Sequence, residues 1–565
     1  MSTRTAALST LIVTGCMLIS NVASAVQPKL VVLIVVDQLR GDLVTRFEED
    51  FSQDGFRRLQ NHGALFVNAR YTYGSSETAP GHASVGTGRL PRYHGIVANK
   101  WFPEDAGPNG IHAVNDPQTR PVPMHSQTTT PGASPWRLIG PGLGDQIKLS
   151  DRRSRVFSVA LKDRAAIFMA GKRPDAAFWW DLSTGQFISS TWYCDSLPEY
   201  VTAFNADRPA DRWFGRKWEL LLPEANYAGC HPFDSDWMSH PAFGSTFPHA
   251  LPTFNPDKPR DYYSALWCTP FGNELVIDLA ERILTNEKLG RGSAVDMLCI
   301  GLSSNDLVGH YFGPDSLETK DVTVQTDRQL ARLLKSLDEV VGLDRCLIAL
   351  TGDHGATSTP LLTQKLGLGG GIFDIPTVEA RLNDQLQSFF PTPGFGNPPH
   401  QIVISLDMPW CYLNRQLMAT LSEPDRQRAM QKAVEILKEY DGVSEVYLES
   451  DLSGPMPSRD EQFRYLAWRC CKPGRSGDIF VQLAPFWYKT DDKISGHDSG
   501  TNQDRHVPIY LLGPRIRPGR YFTEADPCDI ASTLAALLGI EAPLNATGRV
   551  LHEAIDTRPV LGPTD

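Results

Sequence analysis

Two short apolar runs that end in acidic residues constrain the fold of this chain most strongly. One run covers residues 30–36 and stops at Asp37, and the other covers residues 346–350 and is followed shortly by Asp353 and His354. Runs rich in Val, Ile and Leu without polar alternation are typical of strands that a parallel sheet buries on both faces. The same pattern recurs in two further segments, 294–302 and 507–512. We therefore expect the core to be built around a buried, mostly parallel sheet.

Helical patterns separate these predicted strands. Residues 274–289 and 319–341 show helical periodicity, and the second segment places its leucines on one stripe. Asp526 as N-cap, Pro527 in the first turn and Gly539 after the last turn predict a third helix. This alternation predicts a doubly wound α/β fold with helices on both faces of the sheet, whose ligands gather beyond the carboxyl ends of the strands.

Three segments look like insertions into this core. Residues 101–142 and 196–269 are rich in Pro, Gly and aromatic residues. Residues 401–483 contain a predicted strand, a capped helix and a second strand, which indicates a small α+β subdomain. The predicted strands and helix of this subdomain cover residues 402–406, 422–440 and 443–448. We therefore expect residues 26–565 to form one catalytic domain with three inserted cap segments.

The charge balance excludes one function class. Among 565 residues, 54 are Lys or Arg and 65 are Asp or Glu, so the formal net charge is −11. A surface that binds nucleic acid has the opposite balance. We expect no nucleic-acid platform on this protein.

The first residues have the form of a secretory signal. Arg4 precedes an apolar stretch, residues 6–19, and residues 23–25 offer a small-residue cleavage site. This pattern predicts residues 1–25 as a signal peptide; a lipoprotein leader cleaved before Cys16 and a buried N-terminal helix are the alternatives. No later run reaches the about 18 apolar residues of a membrane helix, so we expect a periplasmic or secreted protein without a transmembrane segment.

Six carboxylate and imidazole side chains follow or flank the predicted strands. They are Asp37, Asp306, His310, Asp353, His354 and His497. Asp306 and His310 are four residues apart and would share one helical face, and each of the six, taken singly, also fits a helix cap, a turn or a loop. Together they are expected to meet at one edge of the sheet. Carboxylate and imidazole ligands without thiolates favour a hydrolytic two-metal site with ions about 4 Å apart.

Thr78 is the candidate nucleophile. Pro80 suits a first helical turn, so Thr78 would stand at the start of a helix. The helix dipole and free amides there favour an alkoxide and an incoming anion, and a nearby metal ion would favour loss of the hydroxyl proton. A capping threonine without a chemical role is the alternative.

The order of these residues resembles that of the alkaline phosphatase superfamily. Four further segments, 77–82, 95–99, 162–164 and 496–508, resemble the phosphate-irrepressible alkaline phosphatases of the PafA type. The resemblance implies two Zn²⁺ ions, one held by Asp306, His310 and His497 and the other by Asp37, Asp353 and His354. It implies Thr78 beside the ions as the phosphorylated nucleophile. It further implies that three side chains contact the non-bridging oxygens of the phosphoryl group: Asn99, Lys162 and Arg164.

The expected reaction is zinc-dependent hydrolysis of phosphate monoesters through a phosphothreonine intermediate. Two zinc ions, three aspartates and a threonine alkoxide sum to a charge near zero. Lys162 and Arg164 add positive charge that matches a monoester dianion, and the guanidinium can hold two oxygens at once.

Other functions stay open at this point. A phosphodiesterase or nucleotide pyrophosphatase of the same superfamily is the main alternative, and an exported phosphate- or zinc-binding protein without turnover is another. A sulfatase is disfavoured because Thr78 stands where such an enzyme needs a cysteine or a serine. Manganese or iron at one metal position is the alternative to zinc. We expect a monomer, although the sequence does not determine the oligomeric state.

Several conspicuous residues receive no chemical role. Residues 178–180, Phe-Trp-Trp, are expected to pack in the core or an insertion. No ligand role is expected for five histidines: His82, His94, His231, His400 and His506.

Overall fold

The structure is a computed structural model, and it describes residues 27–103, 109–124, 131–231, 240–390, 401–489 and 493–556. The predicted leader with Cys16, and His400, lie outside the described residues. Within the described ranges, no helix has both the length and the apolar composition that a membrane span requires.

The strands are given first, in chain order. They are β1 Leu30–Val36, β2 Ala64–Arg70, β3 Lys100–Trp101, β4 Ile111–His112, β5 Pro121–Val122, β6 Val156–Ala160, β7 Ala176–Asp181, β8 Gln186–Ser190, β9 Lys217–Trp218, β10 His249–Ala250, β11 Asp296–Leu302, β12 Cys346–Thr351, β13 Gly371–Phe373, β14 Val403–Asp407, β15 Trp410–Leu413, β16 Val443–Leu448, β17 Ile479–Leu483, β18 Trp487–Lys489, β19 His506–Leu512 and β20 Gly519–Tyr521.

The α-helices are α1 Leu43–Arg46, α2 Phe56–His62, α3 Thr78–Thr87, α4 Pro91–His94, α5 Leu143–Ser150, α6 Asp163–Ala170, α7 Glu199–Ala206, α8 Pro259–Trp267, α9 Pro270–Asn286, α10 Ser304–Phe312, α11 Leu317–Val340, α12 Pro360–Lys365, α13 Ile375–Leu386, α14 Arg415–Met418, α15 Glu423–Lys438, α16 Gln462–Cys470, α17 Asn502–Arg505 and α18 Asp529–Leu538.

A ten-stranded sheet organises the molecule. Its strand order is β20-β2-β19-β12-β1-β11-β6-β7-β8-β5. The central strands β12, β1, β11, β6 and β7 are all parallel to their neighbours within this group. The predicted fold class, a mostly parallel doubly wound sheet, is confirmed.

One strand runs against the expectation. Residues 507–512 were predicted to join the sheet as a parallel strand, but β19 is antiparallel to both β12 and β2. Composition signals burial on both faces and carries no information about strand direction, which depends on how the connections run. As a result, β19 begins at the edge where its parallel neighbours end.

The sheet is covered on both faces. The side chains of β1 alternate between two hydrophobic clusters, and none of its residues is exposed. Helices α3, α6 and α18 contribute to the first cluster, and α2, α9 and α11 contribute to the second. Burial on both faces explains why the strand sequence shows no polar alternation.

The third predicted helix begins later than expected. Helix α18 starts at Asp529, and its N-cap is Cys528 rather than Asp526. Asp526 instead lies in the turn before this helix. Its carboxylate accepts hydrogen bonds from the backbone amides of Thr72 and Cys528. Gly539 ends the helix with a left-handed φ of 69°, as predicted.

A smaller sheet lies outside the main one. Strands β14, β15, β17 and β16 form a four-stranded antiparallel sheet, which packs with α13 and α15 around a third hydrophobic cluster. Ser422 caps α15 by accepting a hydrogen bond from the Asp425 amide. The division of the chain into a catalytic domain and three insertions stays a prediction.

Candidate active site

The six predicted carboxylates and imidazoles lie at one edge of the main sheet. Asp37 follows β1, and Asp353 and His354 follow β12. Because β1 pairs in parallel register with β11 and β12, these strands end at the same level. Helix α10, which carries Asp306 and His310, begins directly after β11, and His497 precedes the antiparallel β19. The strand register therefore places all six on neighbouring segments.

The distances show that these side chains meet. His310 Nε2 and His497 Nε2 lie 3.3 and 3.5 Å from Asp306 Oδ1. His354 Nε2 lies 3.5 Å from Asp37 Oδ1 and 3.4 Å from Asp353 Oδ2. The convergence that the sequence predicts is present in the structure.

Backbone carbonyls orient the three imidazoles in the same way. Nδ1 of His310, His354 and His497 lies 2.8, 3.0 and 2.5 Å from the carbonyl oxygens of Ser495, Gly355 and Ser76. A carbonyl oxygen only accepts hydrogen bonds, so we assign the ring proton to Nδ1 in each case. Each Nε2 then presents a lone pair toward a carboxylate oxygen, an arrangement that requires a proton or a cation between the two atoms.

The pKa shifts indicate an excess of negative charge at this edge of the sheet. Burial and the nearby Asp353 raise the pKa of Asp37 well above its ordinary value, although Lys162 opposes the shift. Burial lowers the pKa of His354 to about 3, so its imidazole is neutral near neutral pH. Burial also favours a neutral His497, but Asp498 and Asp306 raise the pKa of this imidazole well above its ordinary value. Asp498 and Asp306 thus favour positive charge on this imidazole.

The residues present fit metal ions. Oδ1 of Asp37, Oδ2 of Asp353 and Nε2 of His354 are buried and make no hydrogen bond to any described residue. Buried polar atoms of this kind are normally paired, and buried carboxylates need a counter-charge. Oxygen and imidazole nitrogen donors without thiolates suit zinc in a hydrolytic site.

The donor atoms form two groups. One contains Asp306, His354 and His497, and the other contains Asp37, His82 and Asp353; within each group the donor atoms lie within 4.8 Å of one another. His354 thus stands between the groups. Its ring also stacks on that of His497, with 3.6 Å between the centroids. The assignment of His354 to the second ion stays a prediction.

His82 is a residue that the sequence reasoning passed over. It lies on α3, one turn after Thr78, and is completely buried. Its Nδ1 lies 2.9 Å from the Thr78 carbonyl oxygen and 3.2 Å from Asp353 Oδ2. The four-residue spacing to Thr78 on one helical face was the available signal. His82 thus lies between the Asp353 carboxylate and the start of α3.

Thr78 is the first residue of α3, as predicted, and is 1 % exposed. Its Oγ1 lies 3.1 Å from Lys162 Nζ. The same ammonium lies 2.6 Å from Asp37 Oδ2 and 2.6 Å from Asp306 Oδ2. Lys162 therefore connects the candidate nucleophile with one carboxylate from each donor group.

The environment of Lys162 keeps it charged. Burial works against the ammonium, but Asp306 and Asp37 raise the pKa of Lys162 above its ordinary value. An ammonium held by two carboxylates occupies the space between the donor groups. Its positive charge offsets part of the negative charge of these carboxylates.

Asn99 lies beside the start of α3. Its side-chain Oδ1 accepts a hydrogen bond of 2.9 Å from the backbone amide of Ala79. Its backbone amide donates to Glu77 Oε2 over 2.8 Å. Burial, with Asp498 and Asp407 nearby, raises the pKa of Glu77 to about 8. The contact through Oδ1 leaves the Nδ2 group of Asn99 available as a donor.

Arg164 and Asn99 share a cavity with Lys162. The cavity has a volume of about 520 Å³, and its wall also includes Trp180 and Trp267. Nε of Arg164 is buried and makes no hydrogen bond to a described residue. Residues 178–180 lie in the core strand β7, as predicted, and Trp179 and Trp180 also form part of the cavity wall.

Gln38 links the two donor groups, and the sequence analysis missed it. Its Nε2 donates to Asp306 Oδ1 over 2.9 Å, and its backbone amide donates to Asp353 Oδ1 over 3.0 Å. Gln38 has a φ of 61°, in the left-handed region that non-glycine residues rarely adopt. Such local strain is often found where a fold holds a functional site in place.

Comparison with known proteins identifies relatives over almost the whole chain. A family model described as type I phosphodiesterase / nucleotide pyrophosphatase matches residues 31–504. Alkaline phosphatase PhoV of Synechococcus elongatus is 31 % identical over 535 residues, which cover 94 % of this chain and 93 % of that protein. Alkaline phosphatase PafA of Elizabethkingia meningoseptica is 31 % identical over 561 residues, covering 97 % of this chain and 98 % of the relative.

A solved structure agrees with these relatives. The crystal structure of wild-type alkaline phosphatase PafA superposes with a TM-score of 0.84 and 30 % sequence identity. The superposition covers 94 % of this chain and 99 % of the crystallised one. The likeness therefore extends to the architecture as well as to the sequence.

Proposed function

Because the chain belongs to the type I phosphodiesterase / nucleotide pyrophosphatase family, and within it to the alkaline phosphatases of the PafA and PhoV kind, we propose that it hydrolyses phosphate monoesters through a phosphothreonine at Thr78. The observation that carries the proposal is the position of Lys162, whose ammonium contacts the Thr78 hydroxyl and two buried aspartates. A cationic side chain and two candidate metal ligands thus lie beside the Thr78 hydroxyl, as hydrolysis of an ester through this hydroxyl would require.

Two zinc ions are the proposed cofactors. Asp306, His310 and His497 would hold one, and a second set would hold the other: Asp37, Asp353 and His354. The unpaired buried donor atoms and the three Nε2 lone pairs support this assignment. Thr78 is proposed as a further ligand, and bound zinc would lower the pKa of its hydroxyl and stabilise negative charge on the leaving oxygen.

Thr78 attacks phosphorus in this proposal, and the ester oxygen leaves opposite to it. Its hydroxyl lies at the N-terminus of α3, where the helix dipole favours negative charge on Thr78 and on the substrate. Water then releases phosphate from the threonine. Two inversions at phosphorus give net retention of configuration.

Preference for monoesters is proposed to come from positive charge. Lys162 and Arg164 would contact the non-bridging oxygens of the phosphoryl group, together with the Nδ2 group of Asn99. A monoester presents a dianion to these donors and a diester only a monoanion, so each charge-assisted contact favours the monoester.

A phosphodiesterase or nucleotide pyrophosphatase is the second candidate, and the description of the matching family model favours it. Arg164 and Lys162 distinguish the two. We propose a substrate-binding and catalytic role for both in a monoesterase, whereas a diesterase would gain little from them.

The test compares a phosphate monoester with its methyl diester, alongside elemental analysis of the purified protein. We expect close to two equivalents of zinc and a strong preference for the monoester. Lys162→Ala and Arg164→Ala should each reduce monoester turnover much more than diester turnover. Arg173→Ala, an exposed arginine beyond the end of α6, is the matched control and should change neither. Unchanged monoester turnover with improved diester cleavage in both variants would move the assignment to the diesterase.

The covalent step has its own test. Thr78→Ala should abolish turnover while phosphate still binds, and Thr78→Ser should retain measurable activity because the hydroxyl remains. Acid quenching of the wild type with labelled substrate should trap phosphothreonine. Net inversion at a chiral phosphorus would rule out the covalent intermediate, and turnover by Thr78→Ala would rule out this nucleophile.

Export to the periplasm or the medium, with Ala25 or Cys16 at the cleavage site, stays a prediction. The substrate partner is proposed as a phosphate monoester. A monomer and an oligomer are both compatible with this chemistry.

A further inference from the structure

A second charged cavity shares no lining residue with the cavity that contains Asn99, Lys162 and Arg164. It is a cleft of about 700 Å³, and five arginines line it, Arg70, Arg459, Arg469, Arg505 and Arg549, which together define the arginine cleft. Its acidic lining residues are Glu524, Asp526 and Asp529. The protein as a whole is acidic, with a formal net charge of −11. A surplus of cations in one cleft is therefore a local feature.

Arg70 has no partner within the part of the chain that the structure describes. Its side chain makes no hydrogen bond and no ion pair there, and its Nε is buried. Arg70 ends β2, opposite His506 in the register with β19, so it lies next to Arg505. A buried guanidinium nitrogen without an acceptor is an unsatisfied donor that a ligand can satisfy.

Arg505 is anchored but not neutralised. It is 7 % exposed, and it donates from Nε to the Gly500 carbonyl over 2.8 Å and from Nη1 to the Tyr71 carbonyl over 2.7 Å. Burial and the neighbouring charge of Arg70 lower the pKa of Arg505 to about 10, although Asp526, Asp504 and Glu524 oppose the shift. Its Nη2 makes no hydrogen bond to a described residue. Both groups that Arg505 contacts are neutral carbonyls, and no carboxylate of the described residues forms an ion pair with it.

Arg469 contributes a third guanidinium. It donates to the hydroxyl oxygens of Tyr465 and Thr72 over 2.8 and 2.6 Å, and its Nε is buried without a hydrogen bond to the described chain. These contacts orient the side chain but supply no negative charge. Arg469 is thus held in a fixed position, and its Nε–H group remains available to a ligand.

The acidic residues of the cleft are held by backbone amides or by its two outer arginines, Arg459 and Arg549. The Asp526 carboxylate accepts from the amides of Thr72 and Cys528 over 3.1 and 2.9 Å. The Asp529 carboxylate accepts from the amides of Asp526 and Arg549 over 2.9 and 2.7 Å. Glu524 pairs with Arg459 at the exposed mouth over 3.4 Å. Among the described residues, none of the three forms an ion pair with Arg70, Arg469 or Arg505.

We propose that the arginine cleft binds a phosphate group, either as free phosphate or on a small phosphorylated molecule, through Arg70, Arg469 and Arg505. Guanidinium groups present paired N–H donors that match the oxygens of a phosphate. Cavities that hold small ligands have volumes of about 300–1,000 Å³, so the cleft has room for an organic group as well. The ligand supplies the negative charge and the acceptors that the fold leaves out.

The test measures binding of inorganic phosphate to the zinc-loaded enzyme by calorimetry. We expect two binding events in the wild type, one at the active site and one at the cleft. In Arg70→Gln/Arg469→Gln the cleft event should weaken by about 10- to 100-fold, the effect of losing hydrogen bonds to a charged group. In this variant the active-site event and kcat should stay unchanged.

Two controls separate the sites. Arg459→Gln, which removes an exposed arginine already paired with Glu524, should keep both events. Lys162→Ala/Arg164→Ala should lose the active-site event and keep the cleft event. Arg505 is left intact because its contacts hold Gly500 and Tyr71. Arg70→Gln alone breaks no described contact, so it serves if the double variant is unstable.

Phenylphosphonate, whose C–P bond resists hydrolysis, distinguishes the two ligand sources. Binding at the cleft at least as tight as that of phosphate indicates a phosphorylated small molecule, and binding of phosphate alone indicates the free anion. The proposal is overturned by a single phosphate event that Lys162→Ala/Arg164→Ala removes. A second event that is unaffected by Arg70→Gln would overturn it as well.

Discussion

The active-site edge and the arginine cleft are clusters of opposite charge, and the edge is the more deeply buried of the two. At the edge, the ammonium of Lys162 contacts two of three buried aspartates, Asp37 and Asp306. At the cleft, three of the arginines have no carboxylate at ion-pair distance within the described residues. Buried charges are costly unless they are paired. Each cluster therefore lacks the kind of charge that the other has in surplus.

Two other buried cations of this protein are paired with carboxylates. Arg40, which is 5 % exposed, lies 3.1 Å from Asp315 and also contacts Asp42. Lys320, 6 % exposed, lies 2.7 Å from Asp50. The fold can thus neutralise a buried cation with a nearby carboxylate. From this difference we infer that the surplus of carboxylates at the edge is neutralised by bound cations. The surplus of arginines at the cleft is neutralised by a bound anion.

Asp37→Asn gives the largest expected effect. Replacing one carboxylate of the edge should remove an ion and lower kcat/KM for a phosphate monoester by about a thousandfold or more, because the charge that stabilises the transition state is lost. Metal content by elemental analysis and steady-state kinetics measure the two effects. Asp296→Asn is the control, since Asp296 is a buried aspartate that begins β11 at the opposite edge. Full zinc content and turnover in Asp37→Asn would contradict the conclusion that the carboxylates of this edge bind metal ions.

Lys162→Met tests how the edge is neutralised. After chelation, this variant should lose about 3 kcal/mol of unfolding free energy, the effect of leaving buried carboxylates without their partner. In the zinc-loaded protein the loss should be much smaller, because the ions then supply positive charge. Urea unfolding with and without chelator measures both values.

The control for Lys162→Met is Lys148→Met. Lys148 pairs with Asp175 over 2.8 Å, but both side chains are partly exposed. We expect a loss of about 1 kcal/mol or less, equal in both states. An equal loss for Lys162→Met with and without chelator would mean that Lys162 does not compensate for missing ions.

Gln38→Ala tests the link between the two donor groups. The variant loses the amide that donates to Asp306 but keeps the backbone amide that donates to Asp353. Zinc affinity should fall by about 10- to 100-fold, as is usual when a group that orients a metal ligand is removed. Competition with a chromogenic chelator measures the affinity independently of turnover.

Gly309→Ala perturbs the same contact from the other side. A Cβ at Gly309 would lie 1.7 Å from Gln38 Oε1, so the Gln38 side chain would have to move. We expect a loss of zinc affinity comparable to that of Gln38→Ala. Wild-type affinity in both variants would show that the Gln38 amide does not position Asp306.

Gln38 illustrates a site residue that could not be predicted from the sequence alone. The strand at residues 30–36 could be predicted to the residue, because burial on both faces leaves a local signal. Asp37 stands out because a carboxylate follows that run. Gln38 carries no such signal, since its partner Asp306 lies 268 positions away and only the register of β1 with β11 brings the two together.

The same reasoning covers the other differences. The direction of β19 depends on the path of the chain between strands, and the boundary of α18 depends on the contact of Asp526 with Thr72. The unpaired state of Arg70 depends on where distant carboxylates point. Local patterns predict elements and candidate ligands, whereas long-range pairing decides which charges are left without a partner.

Arg70→Gln gives the smallest expected effect and addresses the cleft without its ligand. In buffer of low ionic strength without phosphate, removing one of several uncompensated cations should raise the unfolding free energy by about 0.5 kcal/mol, because like charges repel. The gain should vanish at about 1 M salt, where the Debye length is about 3 Å. Chemical denaturation at the two ionic strengths measures the difference.

Arg58→Gln provides the contrast for this last variant. Arg58 lies 3.6 Å from Asp338 at the surface, so removing its charge should slightly lower stability at low salt. The two arginines should therefore respond with opposite signs under the same conditions. A loss of stability in Arg70→Gln would mean that the fold already compensates this charge, and the cleft would then have no surplus for an anion to neutralise.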